Sequence, residues 1–192
     1  MKNGVLSLAL ALVFGATATA NNPIDGEKKE VKTSESKVTW KAYKVTGSHY
    51  GTVNLKEGAL IFDGDKLSGG EFVVDMNTLV ATDLQGEYKG KLEGHLKSDD
   101  FFGVANHPMS KLVFTKVKST GKNSYEVKGD LTIKGITKPV TLDVSVYGSK
   151  ATATAKVDRT LYDIKYNSGN FFENLGDKII YDEFDLVVDL EF

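Results

Sequence analysis

The chain has no cysteine, which excludes disulfides, thiol nucleophiles, lipid attachment through an N-terminal cysteine and most structural zinc sites. Stability then has to come from packing alone. The common catalytic and phosphate-binding signatures are also missing: Gly-x-Ser-x-Gly, His-Glu-x-x-His, Gly-x-x-x-x-Gly-Lys and Gly-x-Gly-x-x-Gly do not occur. The nearest approach, Gly86 to Lys91, is one residue short of a phosphate loop and falls inside a helical pattern. The formal net charge is only −2 and the basic residues are scattered, so nothing provides the clustered cations that a nucleic acid requires.

What is present begins with a leader. Lys2 is followed by an uncharged stretch, Gly4 to Ala20, with an apolar centre from Val5 to Phe14 and the small residues Ala18-Thr19-Ala20 at its end. This is the pattern of a secretory signal peptide over residues 1–20, with cleavage after Ala20. The run is too short and too rich in Ala, Thr and Gly to span a bilayer, so no stable membrane insertion is expected after cleavage. The remaining chain carries 23 basic and 26 acidic residues, a net charge of −3, and has the length of one domain with a sizeable core. Residues 21–35 are polar and aperiodic and are expected to be a flexible lead into a domain spanning 36–192.

Within that domain, apolar and polar residues alternate with period two. The clearest case runs from Gly129 to Val146: Leu131 and Ile133, a turn expected around Gly135 to Pro139, then Val140, Leu142, Val144 and Val146. Such alternation marks a β-hairpin with one solvated face. Similar segments surround Val38 to Ala42, Val53 to Leu55, Phe72 to Met76, Leu112 to Phe114, Tyr125 to Val127, Ala151 to Val157 and Phe184 to Phe192. Turns are expected at Glu57-Gly58, before a separate Leu60-Phe62 segment, and at Gly69-Gly70.

Asp83 to Phe102 departs from this pattern. Leu84, Tyr88, Leu92 and Leu96 recur every four residues and predict a helix over about 84–97. Gly86, Gly90 and Gly94 share that spacing, which suggests a helix docked with its backbone close to a neighbouring surface. Ser98 with Asp99 and Asp100 reads as an N-cap for a further short turn carrying Phe101-Phe102 and ended by Gly103.

The candidate binding residues are the inward apolar set. They are Trp40, Val53, Leu55 and Phe62 from the first strands, then Phe72, Val74 and Met76, then Leu112 and Phe114. Leu131, Ile133, Leu142 and Val144 continue the set through the hairpin, and Phe184, Leu186 and Val188 close it. They either fill one another's space as a core or leave a tunnel for a long hydrocarbon, which burial alone stabilises at about 25 cal/mol per Å². No catalytic residue, metal site or cofactor is expected. His49, His95 and His107 lie on distant segments and read as structural, and the acids Asp182, Glu183, Asp185 and Asp189 read as solvated strand charges. An all-β chain of about eight such strands closes into an antiparallel barrel or stacks as a two-sheet sandwich with a docked helix.

Three segments resemble the YceI-like family of exported isoprenoid-binding proteins: His95 to Phe102 with His107-Pro108 and Leu112-Val113-Phe114, Gly129 to Val140, and Arg159 with Tyr162, Ile164 and Tyr166. The resemblance implies a lipocalin-like, eight-stranded antiparallel β-barrel with the helix packed against it. It also implies a pore for an amphiphile with a polyprenyl tail, such as a polyprenyl phosphate or a quinone, and a homodimer. Two departures are Glu35-Ser36 in place of His-Ser, and Tyr162-Asp163 in place of Phe-Gly. The expected function is a periplasmic or secreted non-enzymatic carrier of an isoprenoid lipid. The alternatives are an envelope interaction module with a filled core and an enzyme acting on the bound lipid.

Overall fold

The computed structural model describes residues 26–192, so the expected signal peptide lies outside the described residues, as does the start of the lead. Nine strands and one α-helix follow in the order β1 (Glu27–Glu30), β2 (Lys37–Lys44), β3 (Gly47–Asp63), β4 (Lys66–Ala81), α1 (Gly86–Lys97), β5 (Met109–Ser119), β6 (Ser124–Ile133), β7 (Ile136–Tyr147), β8 (Lys150–Asp158) and β9 (Ile180–Glu191). The sheet order β2-β9-β8-β7-β6-β5-β4-β3 closes on itself through β3–β2 pairing, every pair being antiparallel. The result is an eight-stranded barrel, and the sandwich alternative is excluded.

β1 does not add a ninth stave. It pairs with Ala59 to Phe62 at the far end of the edge of β3 whose beginning pairs with β2, so β1 and β2 are two halves of one interrupted strand. The expected flexible lead is corrected here: Glu27–Glu30 is a strand, Val31 is buried and donates its N–H to Gly58 O, and Lys32 N–H reaches Glu191 O. The physical reason is the open edge of β3 beyond β2, whose backbone groups need partners.

Two expected turns are strand interiors. Glu57-Gly58 marks a register shift within β3, and Gly69-Gly70 lies inside β4; the chain reverses at Gly64-Asp65. The β6–β7 turn is tighter than expected, consisting of Lys134 (φ 52°) and Gly135 (φ 75°) alone. Two positive φ values give the turn whose twist matches paired strands. Thr137 and Pro139 then belong to β7, opposite Thr132 and Asp130.

The helix covers a specific gap. β5 pairs with β4 only over Glu71–Asp75, leaving the rest of that edge open. Met76 N–H donates to Pro108 O, Ala81 N–H to Glu93 Oε1 on α1, and Lys97 Nζ to Asn77 O. Leu92 and Leu96 pack on the core, whereas Tyr88 is 75% exposed. The expected close approach at the glycine row is not found, since a side chain at Gly90 or Gly94 would meet nothing within 4 Å. Ser98 is the C-cap of α1, its hydroxyl donating to His95 O, and Phe101 and Gly103 fold back to its carbonyl in turns.

Candidate ligand-binding site

Inside the barrel lie two adjoining voids of about 120 and 90 Å³. Val38, Val74, Ser110, Leu131 and Leu186 line both, so the pair forms one slot along the barrel. Its walls are almost wholly carbon, because strand alternation sends apolar side chains inward from every stave.

Fifteen of the sixteen residues expected at the lining are brought together there. Trp40, Val53, Met76, Ile133 and Phe184 surround the larger void, while Leu55, Phe72, Leu112, Phe114, Leu142, Val144 and Val188 surround the smaller. Val74, Leu131 and Leu186 stand where they meet. Phe62 lines neither void; it packs against Phe192 with ring centroids 5.6 Å apart.

Other wall residues escaped the sequence reading. Leu79, Leu96, Phe101 and Ile164 reach the larger void from β4, α1 and the loops, positions that strand alternation does not predict. On β8, Ala151, Ala153 and Ala155 border the smaller void, and their period-two spacing was a usable signal. Their small size leaves space opposite the rings of Phe72 and Phe114.

The wide end of the slot is organised by the chain's only arginine. Arg159 is 5% exposed and donates four hydrogen bonds: Nε to Tyr181 O, Nη1 to Ile164 O, and Nη2 to Ile180 O and Asp182 Oδ1. Burial lowers its pKa from the ordinary value, opposed by the charges of Asp182 and Asp158. Beside it, burial with the charge of Asp158 pushes the Tyr162 hydroxyl up to about 12. Asp182 is therefore no simple solvated charge; it holds Arg159 and accepts from Asn170 Nδ2 at 2.7 Å. Asp185 accepts from Tyr43 Oη at 2.6 Å and from Lys156 Nζ at 3.0 Å.

The histidines remain apart. His95 makes edge contacts with Phe101 and Tyr166, at 4.9 and 4.5 Å, and pairs with Asp100 at 3.3 Å. His107 lies near the β6–β7 turn, where a side chain on Gly135 would stand 3.3 Å from its ring. His49 Nδ1 is 2.7 Å from Asp83 Oδ2. No group of three His, Asp or Glu residues able to hold a metal occurs among the described residues.

A closed antiparallel barrel around a carbon-walled slot, with a helix across the open edge near its wide end, defines a lipocalin-like binding fold. The chain belongs to the YceI-like family, whose YceI-like domain matches residues 30–192. It is 33% identical over 145 residues to a UPF0312 protein of Pseudomonas putida, covering 74% of this chain and 71% of that protein. A UPF0312 protein of Ectopseudomonas mendocina is 30% identical over 154 residues, with 77% and 74% covered. Among solved structures, Burkholderia cenocepacia BcnA superposes with a TM-score of 0.62 at 21% identity, covering 83% of this chain and 98% of that one. A polyisoprenoid binding domain from Saccharophagus degradans gives 0.56 at 14% identity, with 84% and 97% covered. These two likenesses establish the shared fold.

Proposed function

We propose that this protein is an exported, non-enzymatic binding protein that carries an isoprenoid-tailed amphiphile, its tail in the barrel slot and its head at the end near Arg159 and α1. The observation that carries this reading is the slot itself. Its near-absence of polar wall atoms, Ser110 and the unpartnered Trp40 Nε1 aside, offers a hydrocarbon little to desolvate and a polar molecule little to bond. The description of the Saccharophagus domain as polyisoprenoid binding supports the same ligand class. The leader over residues 1–20 supports export to the periplasm or beyond. A homodimer is part of the proposal, and sedimentation equilibrium tests it.

One observation favours the second reading, an envelope interaction module with a filled core. The voids are small beside the roughly 300–1,000 Å³ of ordinary ligand pockets. A prenyl tail therefore enters only by displacing lining side chains, for which Met76, Leu79 and Leu131 have rotamer freedom and Trp40 has little. Organic extraction of the protein purified from its native envelope, followed by mass spectrometry, decides between the two. A stoichiometric prenyl lipid supports the carrier. An empty extract, together with no uptake of added C20 to C40 prenyl lipids, leaves the interaction module.

A further inference from the structure

We infer that the His49–Asp83 pair at the inner rim of the barrel mouth is the head-group site, and that it takes a neutral isoprenoid bearing a hydroxyl, a prenyl alcohol or a quinol. This rests on the lipid-binding reading and adds the chemistry of the head. His49 shares the inward register of Gly51, Val53 and Leu55 on β3, and pairs with Ala42, which lines the larger void. It therefore stands one inward position beyond Gly51, beside the void wall at Ala42 and just outside the residues that line the larger void. Asp83 follows β4, where Thr82 N–H donates to Tyr50 O and extends the ladder, so that the carboxylate arrives opposite the imidazole.

The pair is polarised in one direction. Asp83 Oδ2 lies 2.7 Å from Nδ1, and Oδ1 accepts Tyr50 N–H at 3.2 Å. Burial acts to raise the Asp83 carboxyl, but the bonds from His49 and Tyr50 outweigh it and the net shift is downward. An ionised carboxylate only accepts, so Nδ1 carries a hydrogen, and in the neutral tautomer that this bond selects the ring presents Nε2 as a lone pair. The imidazole is 27% exposed, and among the described residues Nε2 has no hydrogen-bond or ion-pair partner. An O–H group supplies what that atom lacks. A phosphate would instead meet the Asp83 charge, while Arg159 is committed to three carbonyls and Asp182.

The test uses three C20 probes on delipidated protein: geranylgeraniol, its methyl ether and geranylgeranyl phosphate. Trp40, the only tryptophan and a wall of the slot, reports binding by its fluorescence. The alcohol binds about tenfold tighter than the ether, which has no hydrogen to donate, and tighter than the phosphate. In His49→Phe that alcohol-to-ether ratio falls to near one while the ether keeps its affinity. In wild-type protein, the ¹⁵N resonance of His49 Nε2 shifts with the alcohol and not with the ether, a readout independent of how the variant folds. Equal binding of alcohol and ether, a preference for the phosphate, or an unmoved Nε2 resonance overturns the head-group site and leaves the carrier reading intact. If none of the probes binds, the carrier reading itself fails.

Discussion

Phe72 and Phe114 lie on adjacent strands with their ring centroids 5.6 Å apart and tilted by 48°, in space left by glycines. A side chain at Gly58 would stand 2.6 Å from the Phe72 ring, and one at Gly70 would stand 2.9 Å from that of Phe114. Both rings wall the smaller void, so these glycines shape the slot.

Gly70→Ala is expected to destabilise the protein by about 1–3 kcal/mol through overpacking, with the rings forced from their rotamers. Urea unfolding should show a lower midpoint at an unchanged slope. An unaltered midpoint would mean that the rings yield without strain.

Arg159→Lys should cost about 3 kcal/mol or more, because one ammonium cannot reach three carbonyls and a carboxylate arranged around a planar fork. The loss should concentrate at the start of β9. Hydrogen exchange of Tyr181 and Asp182 faster than that of Val127, which is fully buried on β6, would show it.

Stability should fall on acidification. Hydrogen bonds from Tyr43 and then Lys156 hold the Asp185 carboxyl below its ordinary range, and Asp83 is also lowered, its hydrogen bonds overcoming burial. Groups depressed in the folded state stabilise it fully above the unfolded carboxylate value of about 3.9, and that contribution disappears as pH falls through the lower folded values. Asp185→Asn should flatten the acid limb of a plot of melting temperature against pH between about 5 and 2. A limb of unchanged steepness would assign the acid response to other carboxylates.

Ala153→Leu fills the smaller void from β8. Added methyls that enter existing space leave stability within about 1 kcal/mol. The carrier reading then requires recovered prenyl lipid to fall severalfold while melting temperature barely moves. Undiminished lipid in the folded variant would place the tail elsewhere.

The parts of the fold that were readable came from local periodicity. Alternation at Leu131 to Val146 and Phe184 to Phe192 identified inward faces without any knowledge of partners, and the i to i+4 spacing of Leu92 and Leu96 placed the helix within two residues of its start. Glycine misled the reading where its cause was non-local. Gly58 and Gly70 look like turn residues, yet they serve rings on neighbouring strands. Phe62 alternates correctly and is buried, yet it misses the slot because it stands beyond Leu60 at the far end of β3, packed on Phe192 past the end of the smaller void. The segment around Asp99 and the hairpin at Lys134 lie far apart in the sequence, and only the structure joins them, with Lys134 Nζ donating to Asp99 O at 2.6 Å.

The sequence by itself determined that the strands are amphipathic, that thiol chemistry is absent, and that the chain carries the segments of the YceI-like family. Those properties follow from side-chain type and spacing along one strand. The tertiary structure decided that the sheet closes through β3 and β2, that β1 completes an open edge, and that two voids remain between the walls. It also brought His49 to Asp83 across 34 positions of chain. A cavity is the difference between the space a closed barrel encloses and the volume its side chains occupy, and that difference depends on register and shear across all staves at once.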